Sequence, residues 1–326
     1  MRPAVSVILL TTLIGAGQGL FLALFTVQTY ALVGLLPAAD HRAFYASGSA
    51  LALALLVAGL VASFFHLVRP ERAWRSAAQW RTSWLAREVI VLPAVMAVVA
   101  LYGAAHALAW TPEIARLPGG MVFDLSVVLG VLGTALVFTL FICTGMIYAC
   151  LRFLAEWHSP LTPLNYTLLG SASGFVLAAA WASLVAPDVV GFLAAWAVVI
   201  TLLATVGRAA SLWRNARLVP KSSTQSAIGI KHPTIVQKSQ GFMGGSFNTR
   251  DFFHGASRAR LRGVKHAFVL LAFVVPLALL LAGRGTASPP LLLAAFLIQY
   301  VGLLAERWFF FAQANHPQNL YYQAIS

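Results

Sequence analysis

The chain is 326 residues long, 60% hydrophobic and only 10% charged, where soluble domains carry about 25% charged residues. Its apolar residues gather in runs of about twenty or more, long enough to cross a bilayer, so the fold class is all-α, a polytopic membrane protein built as a helix bundle. This excludes a secreted enzyme, a disulfide scaffold and a nucleic-acid-binding domain, and the net charge of +13 is a matter of membrane topology, because basic residues of bilayer proteins collect in cytoplasmic loops.

Eight spans are predicted within a single membrane domain, at 6–36, 46–67, 85–109, 122–150, 165–186, 189–213, 264–283 and 290–311. The first follows Met1-Arg2-Pro3 and is too long for the apolar core of a signal peptide. Gly15, Gly17 and Gly19 in span one, and Gly170 and Gly174 in span five, allow close helix approach. Gln18 is either a polar lining residue or a bond to a neighbouring helix. Pro93 and Pro276 fall inside spans and can kink them. Cys143 and Cys150 lie in span four, and two thiols are too few for an iron–sulfur cluster, which takes about four; they read as small buried hydrophobes.

An even number of spans puts both termini on one face, side A. Of the 22 lysines and arginines, 19 fall on side A; only Arg42, Arg116 and Arg284 fall on side B. This imbalance predicts that side A, with both termini, faces the cytoplasm. Trp74, Trp80, Trp84, Trp213 and Trp308 cluster at the side-A ends of spans, as an interfacial belt does. Asp124 and Asp188 fall towards side B as helix-end residues.

The chemistry concentrates between spans two and three, in His66-Leu-Val-Arg69-Pro-Glu-Arg72-Ala-Trp-Arg75 and Arg81-Thr-Ser83-Trp-Leu-Ala-Arg87-Glu88. His66 ends one apolar helix and Glu88 opens the next, and a short connection makes the two helices neighbours. A His and a Glu at one membrane depth suit a quinone: the imidazole can hydrogen-bond a ring oxygen and the carboxylate can exchange the proton. Two plainer readings stand beside it. Glu88 can pair with Arg81 or Arg87 at the interface, and His66 can cap its own helix. Arg69, Arg72 and Arg75 recur every third residue, along one helix face, where they can hold lipid phosphates or an acidic patch on a partner protein. Glu306-Arg307 near the end of span eight is either an internal ion pair or part of the surroundings of the quinone pocket, and Tyr148, Arg152 and Glu156 face similar alternatives.

From Arg208 to Lys265 the chain runs 58 residues with eleven basic residues and a single acidic one, Asp251. A loop of that length is functional or disordered. Lys221-Ser-Ser-Thr-Gln-Ser reads as flexible, whereas Gly241 to Gly255 is not low-complexity. Its Phe252 and Phe253 stand beside Arg250 and His254, a set suited to docking a partner subunit. The other reading is an amphipathic stretch on the lipid surface; interrupting glycines favour docking.

The segment from His66-Leu-Val-Arg69-Pro-Glu-Arg72-Ala-Trp to Ser83-Trp-Leu-Ala-Arg87-Glu88 resembles the dimethyl sulfoxide reductase membrane-anchor family, and the eight-span layout extends the resemblance over essentially the whole chain. The resemblance implies a bacterial inner-membrane subunit without haem or iron–sulfur cluster of its own. Such a subunit anchors an iron–sulfur subunit and a molybdopterin catalytic subunit, and exchanges electrons with ubiquinone or menaquinone. It places the quinone-site histidine on His66 and the quinone-site glutamate on Glu88, and carries over no other residue. Arg69, Arg81, Ser83, Arg87 and Glu306 are candidates for the pocket's surroundings by their place in the sequence alone. Arg72, Arg75, Arg250, Phe252, Phe253 and His254 are the candidates for partner docking. The long loop looks like that of the sulfite-oxidising branch of the family, which implies sulfite oxidation ahead of sulfoxide reduction by menaquinol.

Three other classes compete. A secondary transporter needs ionisable or broken-helix sites at mid-span and repeated halves; neither is visible. A purely structural anchor has no quinone site. A cytochrome would need histidines such as His66 and His266 to face each other across a haem.

Overall fold

In lipid every backbone N–H and C=O must be satisfied within its own segment, so long runs of Leu, Ala, Val and Phe fold as helices. The computed structural model describes residues 1–37, 39–116, 122–220, 222–236, 238–239 and 251–321. Among them eight helices are long and apolar enough to cross a membrane: α1 (Val5–Leu32), α2 (Arg42–Phe64), α3 (Trp84–Ala107), α4 (Leu125–Ala149), α5 (Leu161–Val185), α6 (Pro187–Ala216), α7 (Arg258–Thr286) and α8 (Pro289–Ala312). The protein is a multi-pass all-α membrane bundle.

Local chemistry sets the helix ends. α1 stops at Leu32, short of the predicted 36, because Gly34 turns left-handed at φ 73° and Leu35 and Leu36 donate back to the Tyr30 carbonyl. The Ser83 hydroxyl caps α3 by accepting from Ala86 N at 3.3 Å, and the Asp124 carboxylate caps α4 by accepting from Val127 N at 3.0 Å. Ser257 caps α7 through Arg260 N at 3.2 Å, so α7 starts at Arg258 rather than 264 and carries Arg258, Arg260, Arg262 and Lys265 on helix. A small antiparallel hairpin on side B, β1 (Glu113–Arg116) with β2 (Val122–Asp124), was not expected. Strands of four and three residues are too short for alternation to register in a sequence.

α1 and α5 form the axis. Some 78% of the most apolar stretch of each is buried inside the protein, against 33–44% in the other six. α2, α3 and α4 complete one four-helix group around α1, and α6, α7 and α8 complete another around α5. The two central helices cross through glycine. A Cβ on Gly174 would fall inside the backbone of Gly19 and Leu20, and a Cβ on Gly19 would meet the backbone of Gly170 and Ser171. Lipid offers helices no hydrophobic reward for associating, so such close backbone packing is what holds them. Gly174→Ala is therefore expected to cost about 1–3 kcal/mol by overpacking, seen as a lower thermal midpoint of the purified protein in detergent.

α7 bends through a π-helical turn, Leu270–Val274, just ahead of Pro276. Proline has no N–H to offer the carbonyl one α-turn back, which is that of Ala272. The Gln299 amide of α8 supplies a donor to that carbonyl at 3.3 Å and reaches the Thr201 hydroxyl at 3.4 Å.

Each tryptophan of the predicted belt carries an arginine over its ring. Arg75 lies 5.6 Å from the Trp74 centroid, Arg81 5.4 Å from Trp80, Arg87 4.2 Å from Trp84, Arg217 3.9 Å from Trp213 and Arg260 5.5 Å from Trp308. An indole facing the lipid interface with a guanidinium on its face suits the boundary between acyl chains and phosphates.

Candidate functional site

Glu88 enters α3 one turn after the Ser83 cap, and that phase of the helix turns its carboxylate into the bundle. It is 8% exposed. The Thr144 hydroxyl of α4 donates to its Oε1 at 2.5 Å. Neither Arg81 nor Arg87 pairs with it. Arg87 turns outward instead, its Nε donating to the Trp80 carbonyl at 2.9 Å and its Nη2 to the Arg81 carbonyl at 2.8 Å. A buried carboxylate with no cationic partner among the described residues is costly in a membrane unless it serves function. It faces a gap of about 250 Å³ lined also by Gln18, Phe141, Thr144 and Tyr166. Gln18 spends its amide N–H on the Val137 carbonyl at 3.2 Å, tying α1 to α4.

His66 lies in the exposed turn after α2. Nearby side chains remove enough of its hydration to hold the imidazole pKa below its ordinary value, so the ring is neutral at pH 7 and offers one donor and one acceptor. No hydrogen bond or ion pair joins it to Glu88 among the described residues. The stretch beyond it is a 3₁₀ helix, Pro70–Gln79, preceded by Arg69. At three residues per turn, Arg72 and Arg75 stand one above the other. Arg72 Nε is 3.8 Å from Glu71 with both side chains more than half exposed, a pair that contributes little. Arg69, Arg72 and Arg75 thus remain available on the surface, while Ser83 is spent on its cap.

The sequence singled out Glu306, Arg307 and Glu156 but not the partners that gather them into a second buried polar cluster. Arg208 of α6 and Glu306 of α8 pair at 2.7 Å with side chains 3% and 1% exposed. Arg307 Nη1 stands 3.5 Å from the other oxygen of Glu306, and its guanidinium lies 3.6 Å from the centroid of the Tyr166 ring. Asn165 of α5 donates to the Ser211 hydroxyl at 2.7 Å. These residues, with Glu156, Asn215 and Gln313, surround a cavity of about 260 Å³. Glu306 therefore belongs here rather than beside His66 and Glu88. Its link to Glu88 is Tyr166, which lines both cavities. An arginine and a glutamate 98 residues apart leave no pairing signal in one sequence; the cost of burying Glu306-Arg307 in a span is the only pointer to this place.

Arg250 lies outside the described residues. Phe253 is 8% exposed, and Phe252 stacks on His316 with ring centroids 3.7 Å apart at 16°. The Phe252 carbonyl accepts from Asn319 Nδ2 at 3.1 Å, and His254 Nδ1 accepts from Ala256 N at 3.0 Å. Phe253 is thus buried and Phe252 half-buried against His316 of the C-terminal segment, so less of this apolar surface is exposed than the sequence suggested.

With this arrangement in view, the chain is 55% identical over 326 residues, the full length of both proteins, to a subunit of the sulfite dehydrogenase of Allochromatium vinosum. The family model described as DMSO reductase anchor subunit (DmsC) matches residues 1–322. A match of that extent, over eight membrane helices, leaves one conclusion: the chain belongs to the DMSO reductase anchor subunit family.

Proposed function

We propose that this subunit anchors an iron–sulfur subunit and a molybdopterin catalytic subunit to the cytoplasmic face of a bacterial inner membrane, and passes electrons from sulfite oxidation to the quinone pool. The observation that carries the quinone site is Glu88: a buried carboxylate at the side-A end of α3, held by Thr144 and paired with no cation among the described residues. The name of the Allochromatium vinosum relative supports sulfite as the substrate of the complex, ahead of a sulfoxide reductase fed by menaquinol. The excess of basic residues on side A supports the orientation.

Sulfite and water give sulfate, two electrons and two protons at the catalytic subunit, and a bound quinone takes up two electrons and two protons to become quinol. Residues of this chain serve the proton half. Glu88 gives a proton to a ring oxygen and is reprotonated afterwards. Thr144 holds the carboxylate in place. The neutral His66 donates or accepts at the outer edge of the ring. Beside Glu88 there is room for about one water molecule, far less than the roughly 300–1,000 Å³ of ordinary small-molecule sites, so a quinone reaches the carboxylate with its ring edge only as neighbouring side chains give way.

Inside-out inner-membrane vesicles test this reading. On addition of sulfite they should reduce a short-chain ubiquinone or menaquinone analogue, whereas right-side-out vesicles, and vesicles from cells lacking this chain, should not. Equal quinone reduction with and without the chain overturns the role; activity only in right-side-out vesicles overturns the orientation.

A further inference from the structure

We propose that the two small cavities meeting at Tyr166 each hold ordered water, and that this water carries protons between the side-A surface and Glu88. The inference rests on the quinone reading of Glu88 and adds the supply line that such a site requires. Each quinone reduced consumes two protons, and Glu88, at 8% exposure, cannot collect them from bulk water itself.

Buried polar atoms without a protein hydrogen-bond partner are found on residues around the cavity between α5, α6 and α8, among them Asn165 Oδ1, Arg208 Nη2, Glu306 Oε2 and Gln313 Nε2. Buried polar atoms in folded proteins are satisfied by protein or by ordered water. The cavity meets both conditions for an ordered water, being polar and just large enough for one molecule, which needs two to four polar partners.

Shared walls connect this cavity in both directions. Glu156, Asn215 and Gln313 line it and also line a wider cleft at the side-A surface, where Arg152, Lys265 and His316 are the other polar walls. Inward, Tyr166 lines it and also the gap that holds Glu88 and Thr144. The order from the surface is thus cleft, Glu156, Glu306, Tyr166, Glu88. Glu306 offsets one of the two buried guanidiniums and Glu156 stands at the mouth, so the route is not closed to protons by uncompensated positive charge. Arg307, 3.6 Å from the Tyr166 ring, fixes the residue at the junction. Ionisable residues within membrane spans commonly mark such relays.

Two measurements on the assembled complex test the proposal. The first is X-ray-generated hydroxyl-radical labelling in ¹⁸O water, read by mass spectrometry. Tyr166, although only 3% exposed, should be labelled by water held against it, while Tyr102, at 0% exposed, serves as the dry control. Equal labelling of the two overturns a hydrated cavity. The second is quinone-linked turnover of Tyr166→Phe and Asn165→Leu beside Glu88→Gln, each normalised to dye-linked turnover so that assembly is accounted for. Tyr166→Phe removes only a hydroxyl, and Asn165→Leu fills the cavity with apolar bulk. Both should slow quinone turnover about tenfold at pH 8, where protons are scarce, and far less at pH 6, with a larger slowing in D₂O than the wild type shows. If Glu88→Gln abolishes quinone turnover while both path variants keep wild-type pH and isotope profiles, the path is wrong and the quinone site stands. If Glu88→Gln turns over quinone normally, site and path fall together.

Discussion

Glu88→Gln should lower quinone-linked turnover of the complex by about 10²-fold or more, the usual weight of a positioned acid–base group, with dye-linked sulfite oxidation unchanged. Glutamine keeps the shape and can still accept from the Thr144 hydroxyl, so the bundle has no reason to rearrange. It loses only the exchangeable proton. The effect should appear in kcat rather than KM, since the ring still meets a polar group of the same size. Stopped-flow reduction of the quinone by the sulfite-reduced complex separates the two: the electrons arrive, but quinol forms slowly. A variant that matches wild type in that assay reduces Glu88 to a helix-packing residue, and the proton donor must then be sought elsewhere.

Glu306→Ala should destabilise the subunit by about 3–5 kcal/mol, the cost of stranding a buried charge. Arg208 is 3% exposed and its pairing carboxylate is Glu306, at 2.7 Å. Phe268 and Phe309 lie over its guanidinium at 5.5 and 6.0 Å, and rings cannot replace an anion. Arg307 would lose the same partner. Replacing both members of the pair, Arg208→Met with Glu306→Leu, should cost less than Glu306→Ala alone, because one buried guanidinium rather than two then loses its anion. Thermal unfolding in detergent, followed by tryptophan fluorescence, gives both comparisons. Similar losses for single and double variants would mean that the cluster matters through its volume rather than its charge.

The fold class was legible because spans announce themselves by length and hydropathy, and α1, α2 and α4 need no partner to be recognised. What hydropathy does not encode is which helix is central. α1 and α5 are no more apolar than their neighbours; their glycines carried the only hint, and close approach becomes a crossing only once the partner is known. The candidate site was legible to the same degree. Glu88 stood out as a charge inside a span, but Thr144 lies 56 residues away and nothing local connects the two. The Arg208–Glu306 pair was hidden for a further reason: Arg208, at the start of a basic run, was counted among the loop charges, whereas α6 continues to Ala216 and buries it. Phe252 and Phe253 suit a docking patch in the sequence because an exposed aromatic residue beside arginine looks the same there as a buried one, such as Phe253, or one stacked on the chain's own C-terminal segment, such as Phe252.

The glycine crossing also governs how the subunit is made. Ribosomes deliver the spans to the bilayer in order, so α1 enters long before α5 has been synthesised. Until then the face of α1 built from Gly15 and Gly19 has no helix to meet, and lipid must fill the groove. The first four helices are therefore left waiting as an unfinished half, and α5 completes the axis for both groups when it arrives. A nascent chain stalled after α4 would hold Glu88 and Thr144 but lack Tyr166, so the gap beside the carboxylate gains its last wall only with α5.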